Sequence, residues 1–110
     1  MLSPVHLTGE EAEFRRKSPR KNTNLVARLR VLSTPYEINI LDLSATGFRF
    51  DSVYRFAEGS RCTLKMETFE TLGAQMVWVR GSIVGCLFER PLHPSVVDAI
   101  AARHPGLIER

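Results

Sequence analysis

The stretch that decides the fold is Leu25-Val26-Ala27-Arg28-Leu29-Arg30-Val31. Its apolar and cationic residues alternate, so that Leu25, Ala27, Leu29 and Val31 fall on one side and Arg28 and Arg30 on the other. Successive side chains of a β-strand point to opposite faces of the sheet. The alternation therefore predicts a strand that buries one face and exposes the other.

Five further segments downstream resemble strands, and turn signals separate them. They lie at residues 36–43, 48–50, 62–66, 74–80 and 83–89, and the turns contain Thr34-Pro35, Ser44–Gly47, Gly59-Ser60 and Gly81-Ser82. Six short strands at hairpin spacing predict a small antiparallel barrel or sandwich. A helix is predicted over 94–103, because Pro94 suits the first helical position and apolar residues recur at helical spacing after it.

The composition is that of one small globular domain. A chain of 110 residues with 44% hydrophobic residues can build a single core. Its apolar runs are far too short to span a membrane, and its first residues lack the pattern of a secretory signal. Cys62 and Cys86 match neither a metal spacing nor a disulfide framework, so we expect reduced core residues and a cytoplasmic location.

The chain divides into three parts in this interpretation. Residues 1–12 are expected to be a flexible N-terminal leader, residues 13–103 the domain, and residues 104–110 a C-terminal tail. Within the domain we expect a basic arm at 14–21, a barrel at 24–90 and the helix at 94–103.

Catalytic and metal-binding motifs are lacking. His6, His93 and His104 have no Cys, Asp or Glu at metal-ligand spacing. A histidine beside a proline is far more often a turn or cap residue than a catalyst, and no nucleophile or phosphate-loop motif occurs. We therefore expect no enzyme, no metal and no cofactor.

Positive charge is concentrated in the arm, Phe14-Arg15-Arg16-Lys17-Ser18-Pro19-Arg20-Lys21. Seven basic residues and no acid lie between Arg15 and Arg30, whereas eight basic and nine acidic residues follow. An isolated cationic run is most often a solvated tail. A focused positive patch nevertheless favours a partner that carries phosphate.

A second motif is Asp42-Leu43-Ser44-Ala45-Thr46-Gly47. One interpretation is a hairpin turn, in which Asp and Ser bind the local backbone and Gly supplies a positive φ. In the other, the Asp42 carboxylate accepts from the N–H groups of a guanine, while an arginine donates to guanine O6 and N7 or to phosphate. A guanine nucleotide needs both groups, and an antiparallel barrel can bring the two segments together.

Together these motifs resemble the PilZ family. Arg16-x-x-x-Arg20, preceded by Arg15, is similar to the family's RxxxR arm, and Asp42-x-Ser44-x-x-Gly47 is similar to its (D/N)xSxxG motif. The likeness continues through Trp78-x-Arg80 and Gly85…Phe88. The resemblance implies a fold dominated by β-structure, a six-stranded antiparallel PilZ-type β-barrel with one C-terminal α-helix. It also implies a bacterial receptor for cyclic di-GMP.

The resemblance also implies roles for individual residues. Arg16 and Arg20 would bind the phosphates and the Hoogsteen edges of the guanines, Asp42 a Watson–Crick edge, and Ser44 a phosphate or base. Gly47 would let the backbone pass close to the ligand.

The resemblance also assigns Arg15 to ligand binding and gives Trp78 and Arg80 a secondary role. A long basic residue at Arg15 accompanies binding of two intercalated ligand molecules in the family. Trp78 would stack on the ligand with Arg80 beside it, although strand alternation with Met76 equally favours a core position for Trp78.

The leading hypothesis is thus a cyclic di-GMP receptor, a monomer or weak homodimer. Its N-terminal arm would change conformation on binding, and it would signal in trans to an unknown protein effector. We expect no nucleic-acid or membrane partner. One rival is a small basic barrel for single-stranded nucleic acid, which needs exposed aromatic side chains as stacking platforms. Another is a PilZ-like adaptor that binds proteins without any ligand, which the intact arginines and Asp42 argue against.

Overall fold

The computed structural model of the chain describes residues 19–67 and 69–106. Within these residues six antiparallel strands close into a barrel: β1 Lys21–Val31, β2 Thr34–Leu43, β3 Gly47–Asp51, β4 Arg61–Lys65, β5 Leu72–Arg80 and β6 Ile83–Phe88. The order around the barrel is β1-β2-β3-β6-β5-β4, and β4 pairs back with β1. The predicted barrel is confirmed.

Strand β1 shows why the alternation in the sequence is informative. Leu25, Ala27 and Leu29 are buried and the residues between them are exposed. The strand begins at Lys21, ahead of the expected start of the barrel at residue 24, so Lys21 belongs to β1 rather than to the arm. The early part of β1 is held by Thr23, whose hydroxyl donates to the carbonyl of Ile40 at 2.8 Å.

Aromatic rings fill the barrel interior. The ring centroid of Phe48 lies 6.1 Å from that of Phe50 and 5.3 Å from that of Phe88, and all three residues are buried. Cys62 and Cys86 are free, buried core thiols, as predicted. Burial raises the pKa of the Cys86 thiol well above its ordinary value, and the hydrogen bond with Cys62 raises this pKa further.

A helix, α1, spans Pro94–Arg103, and its position is confirmed. It begins after His93, whose Nδ1 accepts from the backbone N–H of Ser95 at 3.1 Å, so this histidine is a cap residue as expected. Val97 and Ile100 pack onto the barrel core. Among the described residues no helix is long and apolar enough to cross a membrane.

The segment after α1 returns to the beginning of β1. The backbone N–H of Asn24 donates to the carbonyl of His104 at 3.0 Å, and that of Gly106 donates to the carbonyl of Asn22 at 3.1 Å. Thr23 and Pro105 form an isolated bridge between these two bonds. The first residues of the expected C-terminal tail therefore bind the strand that follows the arm.

Candidate ligand-binding site

The candidate site is centred on Asp42, near the end of β2. Its side chain is 2% exposed, and both carboxylate oxygens bind arginines. Oδ1 accepts from Nη1 of Arg20 at 2.6 Å, and Oδ2 accepts from Nε and Nη2 of Arg49, each at 2.6 Å. A buried carboxylate is tolerated only when it is paired. These three residues, here termed the Asp42 cluster, carry two positive charges against one negative charge.

A β-bulge turns Asp42 to the outside of the barrel. Ile38 and Ile40 point inward, so strict alternation would send Asp42 inward as well. The register between β2 and β3 shifts between Ile40 and Asp42, and Asp42 then pairs with Arg49. Arg49 lies between the inward-pointing Phe48 and Phe50, so its side chain is on the outer face. The bulge therefore brings carboxylate and guanidinium together on that face.

The same outer face continues across the barrel to Trp78. Arg49 pairs with Gly85 on β6, and Gly85 pairs with Trp78 on β5. A second register shift, between Met76 and Trp78, reverses the direction of the tryptophan. Asp42, Arg49, Gly85 and Trp78 thus form a row across four strands.

Trp78 is buried, as the core interpretation expects, but the register shift turns it away from Met76 and it packs in a second cluster. Its indole lies over Gly85: a Cβ at that glycine would be 2.2 Å from Cε2 of the ring. The residue is 4% exposed and packs with Val77, Ile83 and Leu87, apart from the phenylalanine core. The guanidinium carbon of Arg80 lies 5.4 Å from the ring centroid, so Arg80 does stand beside Trp78.

Ser44 shapes the turn between β2 and β3. Its fully buried Oγ accepts from the backbone N–H groups of Thr46 and Gly47, each at 3.2 Å, and its own N–H donates to the carbonyl of Gly47 at 2.9 Å. The hairpin-turn interpretation is therefore correct for Ser44. It is wrong about the backbone of Gly47, because within residues 19–67 and 69–106 a positive φ occurs at Leu32, Gly59, Glu67 and Gly81.

The structure thus gathers the predicted residues that it describes. Arg20, Asp42, Ser44 and Gly47 lie at one end of β2 and β3, and Trp78 and Arg80 lie at the other end of the row. Arg15 and Arg16 are outside the described residues. Nowhere in the described ranges do three or more His, Cys, Asp or Glu side chains gather as a metal site would require.

Sequence reasoning missed Arg49. Its outward direction could be predicted, because an arginine between two phenylalanines that share a face must point to the opposite face. Its pairing with Asp42 could not, because it depends on the bulge in β2. Gly85 was noted in the resemblance without a role. It provides the space in which the indole lies across β6.

The fold is a small closed barrel, and one of its faces carries a surplus of guanidinium groups around a buried carboxylate, an arrangement whose charge suits an anionic ligand. The comparison with known families agrees: the PilZ domain matches residues 14–102. Because the match covers most of the chain, the protein belongs to the PilZ family. PilZ domains are typically cyclic di-GMP receptors and generally non-catalytic. A search of curated proteins found no matching sequence.

Proposed function

We propose that this protein binds cyclic di-GMP on the outer face formed by the Asp42 cluster, Trp78 and Arg80. The observation that carries the proposal is the Asp42 cluster itself, with two guanidinium groups sharing one carboxylate. Cyclic di-GMP offers two anionic phosphates, acceptors at guanine O6 and N7, and donors at guanine N1 and N2. Guanidinium groups can donate to the phosphates and to guanine O6 and N7, and a carboxylate can accept from guanine N1 and N2.

Each predicted residue has a defined task in this proposal. Arg16 and Arg20 bind phosphate and the Hoogsteen edge of a guanine, and Asp42 accepts from a Watson–Crick edge. Ser44 adds a hydroxyl and Gly47 a close backbone approach. The indole of Trp78 is 4% exposed, so a base can stack on it only after Arg80, whose guanidinium carbon lies 5.4 Å from the ring centroid, moves aside.

Arg15 has a separate task, which concerns the number of ligand molecules. A long cationic side chain just before Arg16 would support a second, intercalated cyclic di-GMP. A stoichiometry of two in the wild type that falls to one in Arg15→Ala supports this task. An unchanged stoichiometry refutes it.

Binding is proposed to act through the arm. When phosphate neutralises the arm, Arg20 moves from Asp42 to the ligand and the arm is ordered, which is an order–disorder switch. Lys21 lies 3.7 Å from Asp98 of α1, and Asn22 binds Gly106, so the segment next to the arm already contacts the C-terminal helix region. A protein partner that recognises this region would receive the signal in trans.

The test is calorimetric titration of cyclic di-GMP into wild type, Arg20→Ala and the control Arg30→Ala. Arg30 is an exposed arginine of β1 that donates to the carbonyl of Ser33 and lies away from the Asp42 cluster. We expect wild type and Arg30→Ala to bind cyclic di-GMP with the same affinity. Arg20→Ala should lose at least about 1.4 kcal/mol of binding free energy, which raises Kd by a factor of about ten. Absence of heat with wild type, or equal binding by Arg20→Ala, would refute the proposal.

Two rival functions predict other outcomes of the same experiment. A barrel for single-stranded nucleic acid would retard oligonucleotides in a gel and give no heat with cyclic di-GMP. The inward packing of Phe48, Phe50 and Phe88 disfavours it, because bases need exposed rings for stacking. A PilZ-like adaptor without ligand would bind neither probe.

A further inference from the structure

We propose that the two arginines of the Asp42 cluster have different tasks. Arg49 is a fixed positioning residue that keeps Oδ2 of Asp42, and Arg20 is an exchangeable partner that leaves Oδ1 to the ligand. The inference rests on the proposed function, because it states how the same site opens. It assigns to Arg49 a role outside the arm and turn motifs.

The position of Arg49 on the barrel makes it fixed. Strand β3 lies between β2 and β6, and Arg49 pairs with Asp42 on one side and Gly85 on the other. Its neighbours Phe48 and Phe50 are fully buried. Two nitrogens of its guanidinium bind the same carboxylate oxygen. Moving Arg49 away from Asp42 would therefore require either opening of the barrel or loss of both contacts at once.

Arg20 occupies a different kind of position. It precedes Lys21, the first residue of β1, so its backbone lies outside the strand ladder. Its Nη1 reaches Oδ1 of Asp42 across 22 positions of sequence. Withdrawal of Arg20 would leave the pairing of β1 with β2 and β4 in place. Arg20 can thus leave Oδ1 without breaking a strand pairing, whereas Arg49 is placed by its paired strand, even though its side chain is the more exposed of the two, 38% against 21%.

This asymmetry solves a charge problem in ligand binding. If Arg20 were the sole cation at Asp42, its departure would leave a buried carboxylate without a countercharge, and the free energy of that unpaired charge would be high. With Arg49 on Oδ2, Arg20 can move to a phosphate while Oδ1 accepts an N–H from the base. Arg49 would then strengthen ligand binding without touching the ligand, by allowing Arg20 to leave.

The first test needs no ligand. Urea unfolding would be measured for two double-mutant cycles, Asp42→Asn with Arg49→Gln and Asp42→Asn with Arg20→Gln. We expect the coupling energy between Asp42 and Arg49 to exceed that between Asp42 and Arg20. The difference should be equivalent to at least a factor of ten in the unfolding equilibrium constant. Equal or reversed couplings would overturn the inference.

A second measurement uses wild type, so that it does not depend on the folding of any variant. Arginine side-chain amide spectra would be recorded at low salt and in 0.5 M NaCl, a concentration that screens exposed charge pairs. The Nε–H of Arg49, which binds Oδ2, should exchange with water at least tenfold more slowly in high salt than the Nη1–H of Arg20, which binds Oδ1. Similar exchange rates would contradict a fixed Arg49.

The third test adds cyclic di-GMP to Arg49→Gln, Arg49→Lys and the control Arg28→Gln, which removes an exposed arginine of β1. Arg49→Gln should weaken binding at least tenfold, Arg49→Lys should recover part of the loss, and the control should match wild type. Wild-type affinity of Arg49→Gln would overturn the inference. If wild type itself does not bind, the proposed function fails, whereas the unfolding cycles and exchange rates still decide between the two arginines.

Discussion

Substituting Gly85 by alanine tests the placement of Trp78 on the outer face. The added Cβ would lie 2.2 Å from Cε2, 2.4 Å from Nε1 and 2.6 Å from Cζ2 of the indole. Each separation is below the 3.0 Å that real Cβ contacts respect. The ring is 4% exposed and held between its neighbours, so it must swing away from β6 and lose part of its burial.

The size of the effect follows from the area of the ring. A buried tryptophan covers about 150–250 Å². At about 25 cal/mol per Å², its full burial is equivalent to about 4–6 kcal/mol. Exposure of roughly half of that area would cost about 2–3 kcal/mol. Alanine is more favourable than glycine inside a strand by about 0.5–1 kcal/mol. The net loss of unfolding free energy should therefore be about 1–2.5 kcal/mol.

The assay uses the chain's single tryptophan as its own reporter. Gly85→Ala should shift the native fluorescence emission to the red and lower the urea midpoint. The matched control is Gly81→Ala, where φ is +61° and an added Cβ meets nothing within 4 Å. Gly81→Ala should lower the free energy of unfolding by about 1 kcal/mol through backbone strain and leave the fluorescence emission unchanged. A Gly85→Ala protein with wild-type emission and stability would refute the placement of the indole over β6.

Four smaller predictions concern stability. Asp42→Ala should lower the free energy of urea unfolding by about 2–3 kcal/mol, below the range for fully buried pairs because Arg20 and Arg49 are partly exposed. Asp98→Asn, which removes an exposed ion pair with Lys21, should cost less than about 0.5 kcal/mol in the same assay. His93→Ala should lower the thermal midpoint by the equivalent of about 1 kcal/mol, the typical value of an N-cap. Because burial raises the pKa of Cys86, the unfolded thiol ionises first as pH rises. Stability should therefore fall above about pH 8.5 by up to about 1.4 kcal/mol per pH unit, and Cys86→Ala should show a smaller slope.

The strands were predictable because a local pattern specifies them. The alternating apolar residues Leu25, Ala27 and Leu29 of β1 are buried, and so are the phenylalanines of β3 and β6. The start of α1 was also predictable from the local sequence His93-Pro94, a cap residue followed by a proline at the first helical position. What could not be predicted was the start of β1. Lys21 and Asn22 are polar, and they join the strand because Leu43 and Asp42 lie opposite them and Gly106 binds Asn22.

The candidate site was only partly predictable because register shifts surround it. Shifts occur in β1 between Asn22 and Leu25, in β2 before Asp42, and in β5 before Trp78. A bulge adds one residue to a strand and reverses the direction of those that follow. Its position depends on pairing with the neighbouring strand, which no local pattern reveals. The motifs identified the residues, and the bulges determined which face they share. The ligand-binding tasks of all these residues stay predictions, and Arg15 and Arg16 also lie outside the described residues.

The charges of the Asp42 cluster restrict which ligands can open it, if binding proceeds as proposed. A neutral ligand cannot replace Arg20 at Asp42, because Arg20 would lose its anion and gain none. Inorganic phosphate can attract Arg20, but it brings no N–H for the vacated Oδ1. Cyclic di-AMP offers phosphate, yet its base edge places an acceptor where guanine places the N1–H donor. A ligand must therefore supply an anion and a donor edge together, and cyclic di-GMP supplies both.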